Sequence, residues 1–550
     1  MATATPFPTP AGSTADARAA VIDAAAALRA AAIQNAAALR AADRPLLESK
    51  HTGLLMAAVM GITICQFLDM TIANVALPHM RTALGASPDT ISWVLTSFII
   101  AGVLVLPLTG WLTDRFGSRQ MFLGASLLFV VSSMLCGAAT SLGQMVVFRT
   151  IQGIASAFIG PLSQTAMFDI NKPSKQGQAM SIWGIVVMIG PISGPFIGGF
   201  LTDTLNWRWV FYVNLPIGIP ALVLLWWLLP SRAKVERRLD VFGAVMLAVA
   251  LGSLQLMLDR GQDNDWFEAK ETWAELLLSL SAFWVFVVHT LNVKHPLFEG
   301  AMVRNGNFLG GLVFMVILGI TNVGLSSVLP TMYQNLYGYS VMQTGLLMAP
   351  RGFGVLVTML VTNRLMGKVD SRALITLGYG IAAFSLYTMT SWSLDMDWRP
   401  MAISGFIQGL GLGLVFVPVN MVAFSTLAPH FRTDGTTLMT LFRNLGSSFG
   451  ISAIVSQLSR NMQTSHQDVG SSVTSFNVPA IDPSSTAALL GDYGTAALQM
   501  LDGEVTRQAA MIAYLDNFKM MAWLVLLIAP LAYALKRPGP VFGKVKAHSD

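Results

Sequence analysis

Fourteen apolar runs of about twenty residues follow one another along the chain. A helix needs about 20 apolar residues to cross a bilayer, and backbone in lipid must satisfy its own hydrogen bonds. We therefore predict an all-α integral membrane protein in which each run is one transmembrane span. The predicted spans are 54–77, 91–112, 121–139, 143–165, 178–200, 208–229, 241–258, 272–291, 308–329, 343–364, 373–391, 401–424, 435–456 and 519–535.

Composition and charge agree with a chain dissolved in lipid. Hydrophobic residues make up 54% of the chain and charged residues 11%, whereas a soluble domain averages about 25% charged residues. Cys65 and Cys136 both lie in apolar runs, so neither a disulfide framework nor a cysteine-based metal site is expected. The net charge of +5 comes from short connections between spans, so we expect the lipid bilayer as a partner and no nucleic acid.

Basic residues concentrate in alternate connections between spans. The connection between the sixth and seventh spans carries Arg232, Lys234, Arg237 and Arg238, and the connections on the other side of the membrane carry few. Cytoplasmic loops of membrane proteins are enriched in Lys and Arg. The pattern predicts that the N- and C-termini are both cytoplasmic.

The connection after the second span reads Gly110-Trp-Leu-Thr-Asp114-Arg115-Phe-Gly117-Ser-Arg119. A loop this short needs glycines for its turns, and its charged groups can bond to neighbouring helix ends. The spacing resembles the loop signature of the major facilitator superfamily. The resemblance implies a gating role in which Asp114 and Arg115 latch the two halves in the outward-open state, with Arg119 in support.

The fifth span contains glycines and prolines in the order G-x3-G-P-x2-G-G. In a helix bundle such residues permit close helix approach and controlled kinks. The string resembles the antiporter motif of drug:proton antiporters, with Ser181 at the family's upstream glycine position, and it implies export. Its residues are Gly190, Gly194, Pro195, Gly198 and Gly199.

Two charged residues lie inside apolar runs of the first half. Asp69 lies in the first span and Arg149 in the fourth. A carboxylate within a membrane is costly and is usually functional. Because burial and a nearby cation shift a carboxyl pKa in opposite directions, a site that alternates between them can load and release a proton. We predict that Asp69 and Arg149 couple transport to protons; a purely structural ion pair is the alternative.

Longer strings identify the branch of the superfamily. The D-x-T-I-x-N-V-A-L-P string from Asp69 and the segment Asn206–Gly218 resemble the fourteen-span drug:proton antiporter family. The R-x-x-Q-G string from Arg149 resembles the superfamily's proton-coupling motif in the fourth span. The resemblance covers about residues 54–535 and is closest to the EmrB type within the EmrB/QacA-like permeases. That type works in the inner membrane of Gram-negative bacteria with a periplasmic EmrA-like adaptor and a TolC-like outer-membrane channel.

The resemblance implies a major facilitator fold, with two six-helix bundles plus two extra transmembrane helices. Residues 459–518 are polar and form a predicted periplasmic loop, in which 496–518 could extend the last span. The predicted domains are an N-terminal cytoplasmic tail with an Ala-rich helix (1–50), the first bundle (54–229), the extra pair (241–291), the second bundle (308–535) and a cytoplasmic C-terminal tail (536–550).

Polar residues within spans are candidates for the substrate cavity. Arg443 is expected to be buried, where it could bind a carboxylate or an anionic substrate, whereas Arg351 is either buried or snorkels to the membrane surface. Residues 363–372 repeat the first loop signature in degenerate form, as two repeated halves predict. The candidate cavity residues are Gln66, Asn74, Gln152, Asn322, Gln408 and Arg443.

The sequence therefore predicts a proton-coupled multidrug efflux transporter, the permease subunit of a tripartite pump. It would export amphipathic or cationic drugs by alternating access, use no cofactor and be driven by the proton gradient. Asp69 would be protonated in the outward-open state and deprotonated in the inward-open state. A narrow-substrate exporter of a fatty acid, siderophore or endogenous metabolite is the alternative. An enzyme is not expected, because no phosphate-binding loop, metal spacing or nucleophile constellation is present.

Overall fold

The computed structural model describes residues 43–232, 234–262, 264–366, 368–472 and 492–536. The predicted Ala-rich helix and almost all of the C-terminal tail lie outside these described residues. Within them, the regular elements are helices, and no β-strand forms. The predicted all-α fold is confirmed.

The main helices of the described residues follow the order of the predicted spans, and we number them α1 to α14. Two of them contain a local break: α2 has a 3₁₀ turn at Leu106–Leu108, and α6 is interrupted at Val213. Their bounds are α1 Thr52–Leu84, α2 Trp93–Phe116, α3 Ser118–Ala138, α4 Leu142–Ile170, α5 Gln176–Thr204, α6 Trp209–Leu228, α7 Val241–Arg260, α8 Lys270–Asn292, α9 Gly306–Asn335, α10 Val341–Leu365, α11 Ser371–Met389, α12 Trp398–Ser425, α13 Arg432–Ser472 and α14 Asp492–Ile528.

Twelve helices of the described chain are long and apolar enough to cross a membrane. The bent helix α5, which turns by 43° between Met188 and Ser193, is a thirteenth. The bend falls at Pro191, where the ring removes a helical hydrogen bond. Helix α11 occupies the position of the remaining predicted span, so the helix order is consistent with fourteen spans.

Polar side chains define where several helices begin. Ser340 caps α10 in a capping box with Gln343, and Asn305 accepts hydrogen bonds from the backbone at the start of α9. Ser141 caps α4 in the same way. These caps satisfy N–H groups at the start of the helix that have no partner within it. Each helix can therefore begin directly after its connection.

The helices form two bundles that meet along two lines. In the first bundle α1 packs on α5 and α6 while α4 packs on α2 and α3; in the second, α13 packs on α9 and α14 while α12 packs on α10 and α11. The bundles touch where α5 lies along α10 and where α4 meets α13. The extra helix α7 lies against α2 and also reaches α13, where Ser452 donates a hydrogen bond to the carbonyl oxygen of Leu258.

The described parts of the segment 459–518 are helical. This corrects the predicted loop over 459–472 and agrees with the predicted helical extension of the last span over 496–518. Helix α13 continues to Ser472 and α14 begins at Asp492, so at most residues 473–491, which lie outside the described residues, connect them. Hydropathy marks where a chain leaves the membrane, whereas a helix continues as long as its backbone and a packing partner allow. Here the two extensions pack on each other and bury Val505 and Ala509.

Glycine 153 allows α2 and α4 to approach each other closely. A Cβ atom at this position would overlap the backbone carbonyl of Phe98, which cannot rotate away. We expect Gly153→Ala to destabilise the bundle by about 1–3 kcal/mol, the usual range for overpacking. The measurement is the thermal midpoint of unfolding of the detergent-solubilised protein. It is determined from the loss of the monodisperse size-exclusion peak on heating.

Gly124→Ala is the matched control, because Gly124 lies in α3 with open space around its Cα atom. Its thermal midpoint should stay within a degree or two of the parent, given the small effects of surface substitutions. Equal midpoints for the two variants would contradict the packing described here.

Candidate functional site

A buried ion pair joins α1 to α4. The Arg149 Nη1 atom lies 2.6 Å from Asp69 Oδ2, and both residues have 0% exposed surface. The other carboxylate oxygen, Asp69 Oδ1, accepts hydrogen bonds from Gln152 Nε2 at 3.0 Å and from Asn214 Nδ2 at 3.1 Å. The structure thus brings together the two residues that the sequence predicted as a proton-coupling pair.

The arginine is held from several sides. Its Nε donates to the carbonyl oxygen of Val94 at 3.1 Å, its Nη1 also donates to Gln152 Oε1 at 2.9 Å, and its guanidinium carbon lies 4.2 Å from the ring centroid of Phe98. Helices α1, α2, α4 and α6 therefore converge on one ion pair. Removal of one partner of a buried pair typically costs about 3–5 kcal/mol, so the charge of either residue depends on the other.

Asn214 completes the site, and sequence reasoning assigned it no role. Its Nδ2 donates to Asp69 and also to Ser133 Oγ at 3.0 Å, while its Oδ1 is buried without a hydrogen-bond partner in the described structure. An amide inside an apolar run was the available signal. A buried acceptor without a donor is costly, and protonation of the adjacent carboxyl would supply a donor.

Gln152 is placed differently from its prediction as a cavity residue. Its side chain is fully buried and bonds to both members of the ion pair, and the Cys136 thiol lies 3.5 Å from its Oε1. The R-x-x-Q spacing puts Gln152 one helical turn after Arg149, on the same face of α4. It belongs to the ion-pair network, not to a cavity wall.

One side of α1 faces a cleft between the bundles. Phe67 touches Arg443 of α13, whose guanidinium carbon lies 5.2 Å from the ring centroid. Met70, Asn74 and Pro78 are exposed and lie within about 60° of Phe67 around the helix axis. The side of α1 that faces the second bundle is therefore buried at Phe67 and open from Met70 to Pro78.

The other predicted cavity residues fall in two places. Gln66 donates from Nε2 to the carbonyl oxygen of Ser156 at 3.0 Å, near the floor of the cleft. Asn322 instead accepts a hydrogen bond from Arg351 at 2.9 Å, and Gln408 is buried in α12, between glycines that pack on the Arg351 backbone. Arg351 is fully buried and does not snorkel. Asn322 and Gln408 therefore lie around Arg351.

The fifth-span glycines pack α5 against the helix that carries Asp69. A Cβ atom at Gly190 would lie 2.7 Å from the Cβ atom of Phe67, and one at Gly198 would lie 2.9 Å from the carbonyl oxygen of Ile72. Gly194 abuts Thr71 in the same row. Pro195 lies within α5 one residue after Gly194, and Gly199 faces Val341 of α10. The motif therefore fixes α5 between α1 and the second bundle.

The loop signature contacts the second bundle at one end of the molecule. We call this end, which holds residues 116–118, the latch face. Gly110 lies against the side chain of Asp434 at the start of α13, where a Cβ atom would overlap the carboxylate. Gly117 has φ of +97°, a backbone conformation that glycine adopts readily. Gly110 therefore permits the close contact between the bundles, and Gly117 forms the turn.

The partner of Asp114 is Arg237, from the connection between α6 and α7. Arg237 Nη1 lies 2.7 Å from Asp434 Oδ2 and 3.6 Å from Asp114 Oδ2. Burial disfavours its charge, but Asp434 and Asp114 outweigh that effect and raise the pKa of Arg237 above its ordinary value. Arg115, the predicted latch partner, is exposed, and Arg119 donates to the carbonyl oxygen of Trp226 at 2.6 Å.

A second cluster of charges lies on the same face. Asp169 at the end of α4 pairs with Arg432 of α13 at 3.2 Å and also with Arg232 of the α6–α7 connection. Deeper in the interface, the hydroxyl groups of Thr165 and Thr436 lie 2.9 Å apart. The two bundles are therefore joined at the latch face, and the cleft beside α1 opens away from it.

Comparison with known proteins fits this geometry. A family profile described as "Major Facilitator Superfamily" matches residues 59–451. The chain belongs to the major facilitator superfamily. The multidrug export protein EmrB of Escherichia coli (strain K12) is 31% identical over 90% of this chain and 97% of its own length. The fatty acid resistance protein FarB of Neisseria gonorrhoeae is 30% identical over 86% of this chain and 94% of its own length.

A solved structure shows the same fold. The human organic anion transporter MFSD10 (TETRAN) superimposes with a TM-score of 0.53 over 86% of this chain and 97% of its own, at 14% sequence identity. At that identity the likeness concerns the fold alone. The predicted recognition of an EmrB-like major facilitator permease is confirmed by the sequence relatives.

Loss of Arg237 should weaken the closed latch face. We expect Arg237→Ala to leave Asp434 and Asp114 as neighbouring unpaired carboxylates, which repel each other and favour separation of the bundles. A cysteine placed at Thr165 should then react several-fold faster with a membrane-impermeant maleimide applied from the latch face.

Arg238→Ala is the control, since Arg238 is exposed in the same connection. The background from the buried Cys65 and Cys136 is measured in the chain without the added cysteine. Identical labelling rates for the Arg237 and Arg238 variants would contradict a latch built on Arg237.

Proposed function

We propose that this chain is a proton-coupled multidrug efflux transporter, a multi-pass permease of the bacterial inner membrane. The observation that carries the proposal is the fully buried pair of Asp69 and Arg149, within a superfamily member whose relatives include proteins named for multidrug export. Ionisable residues that pair with each other inside membrane spans often belong to proton relays. Transport would use no cofactor and would be driven by the proton gradient.

We infer that the latch face is cytoplasmic. It carries Arg115, Arg119, Arg232, Arg237 and Arg432, and an excess of Lys and Arg marks cytoplasmic connections. With that orientation both termini are cytoplasmic, and the cleft beside Met70 and Asn74 opens to the periplasm. The structure then represents an outward-open state.

The ion pair identifies the stage of the proposed cycle. In this structure the carboxylate of Asp69 accepts hydrogen bonds from Arg149, Gln152 and Asn214, which is the arrangement of an intact ion pair. We predicted from the sequence that Asp69 is protonated in the outward-open state. The geometry supports a narrower assignment, in which this is the outward-open state before proton uptake.

Proton uptake would disturb both partners of Asp69. A protonated carboxyl can donate to the orphaned Oδ1 of Asn214, while Arg149 loses the one carboxylate within salt-bridge distance in the described structure. A buried, unpaired guanidinium is unstable, so the contact between α1 and α4 must rearrange. Because α5 and α6 also pack on α1, the rearrangement can pass to the whole bundle and allow alternating access.

The test is uphill transport in proteoliposomes with an imposed pH gradient. We expect Asp69→Asn to abolish uphill efflux of the neutral amphipathic dye Nile red, because an amide cannot exchange a proton, while downhill equilibration persists. The control is Asp203→Asn, at an exposed carboxylate near the end of α5, which should retain uphill efflux. Normal uphill efflux by the Asp69 variant would refute the assignment.

A tripartite assembly is a further part of the proposal. The EmrB type works with a periplasmic EmrA-like adaptor and a TolC-like outer-membrane channel, and the paired extensions of α13 and α14 would project into the periplasm in the inferred orientation. We expect drug resistance conferred by the gene in a host with an EmrA-like adaptor and a TolC-like channel to disappear in a host that lacks the adaptor. Equal resistance in both hosts would show that the permease works alone.

A narrow-substrate exporter remains the second candidate. The relative named for fatty acid resistance covers nearly the same length of chain as those named for multidrug export. A susceptibility panel of unrelated drugs, with and without the gene, separates the two functions. Protection against several chemical classes supports multidrug efflux, and protection against one class supports the narrow exporter.

A further inference from the structure

Two arginines of the second bundle lie in spans without a carboxylate partner. Arg351 of α10 donates to Ser326 Oγ at 2.7 Å and to both the side-chain and backbone oxygens of Asn322. Arg443 of α13 differs, because no residue in the described parts of the chain accepts a hydrogen bond or forms an ion pair with its guanidinium. Its environment is nonetheless buried, with 9% of the residue exposed.

The ring of Phe67 does not compensate for this burial. A cation over an aromatic face gains less than the desolvation of an ion costs, even after its surroundings relax. The centroid distance of 5.2 Å lies toward the outer end of the favourable range. Arg443 is therefore a largely buried cation for which the described residues supply no anion.

The position of Arg443 is at the floor of the cleft between the bundles. Its guanidinium meets Phe67 on the side of α1 from which Met70 and Asn74 are exposed. Below it, a residual cavity of about 10 Å³ is bounded by polar groups of both bundles, including Gln164, Asn420 and Thr440. A solute that descends the cleft would pass Asn74 and Met70 before it meets the cation.

We propose that Arg443 binds the ionised acidic group of amphipathic substrates, so that this exporter selects organic anions such as carboxylates. A guanidinium forms two parallel hydrogen bonds with a carboxylate, and the apolar part of the substrate would lie beside Phe67 and Met70. The proposal rests on the proposed export function and narrows its substrate class.

The anion site and the proton site lie on opposite sides of one helix. Phe67 and Asp69 are separated by about 160° around the axis of α1, so Arg443 meets the side that faces the second bundle and Arg149 the side that faces α4. Departure of an anion and proton uptake at Asp69 would therefore act on the same helix from two sides. Exchange of one proton for one monoanion moves two charges across the membrane, so the membrane potential would drive such export.

The experiment compares two fluorescent probes that differ in one charge. Dansyl-undecanoic acid and its primary amide are titrated into the purified full-length chain in detergent. We expect the parent to bind the acid at least about tenfold more tightly than the amide, since a hydrogen-bonded charge contributes about 1.5–3 kcal/mol. Arg443→Gln should remove that preference and leave the affinity for the amide unchanged.

Two further variants keep the test decisive. Arg443→Lys retains the charge and should preserve part of the preference, which covers the case in which Arg443→Gln does not fold. Arg351→Gln removes the arginine that already has partners and should leave the preference intact. Equal binding of acid and amide by the parent, or loss of both probes together in folded Arg443→Gln, would overturn the proposal.

Failure of this proposal is distinguishable from failure of the proposed function. If the parent shows no charge preference yet performs uphill efflux that depends on Asp69, the anion site is refuted and the export function stands. If the parent performs no uphill efflux of either probe or of Nile red, the export function itself is refuted. In that case a charge preference in binding would identify Arg443 as an anion site without a transport role.

Discussion

The ion pair between Asp69 and Arg149 is the interaction on which the rest of the structure depends. Two charges fully removed from water are tolerated only when each compensates the other and the remaining hydrogen-bonding groups are satisfied. The backbone of Val94 and the side chains of Gln152 and Asn214 supply those bonds. The site therefore requires four helices to meet within hydrogen-bonding distance, which the glycine at position 153 permits by bringing α2 onto α4.

The two bundles meet differently at the latch face and at the opposite face of the molecule. On the latch face, charges from both bundles meet in two clusters around Asp434 and Asp169. Both clusters include an arginine of the connection between α6 and α7, so the insertion of the extra pair of helices also supplies part of the latch. Away from the latch face the bundles separate beside α1, and the contact of Phe67 with Arg443 marks the depth of the cleft.

Much of the fold could be predicted from the sequence, because the hydropathy and the length of each apolar run indicate a membrane-spanning helix. The pairing of Asp69 with Arg149 was also predictable. Buried charges in lipid need partners, and the spans of the first bundle contain few other charged residues. The partner of Asp114 was not, because the loop signature contains two nearby arginines and only the fold shows that Arg237, more than a hundred residues later, reaches it. Likewise, hydropathy could not show that α13 and α14 continue as paired helices beyond the apolar runs.

The central claim is that Asp69 is the carboxyl that exchanges a proton for substrate. Its most direct test is the release of protons when substrate binds to the purified protein in weakly buffered solution near neutral pH, followed with a pH-sensitive dye. The account predicts that the parent releases up to one proton for each substrate bound and that Asp69→Asn binds substrate without release. Equal proton release by the parent and the Asp69 variant would contradict it.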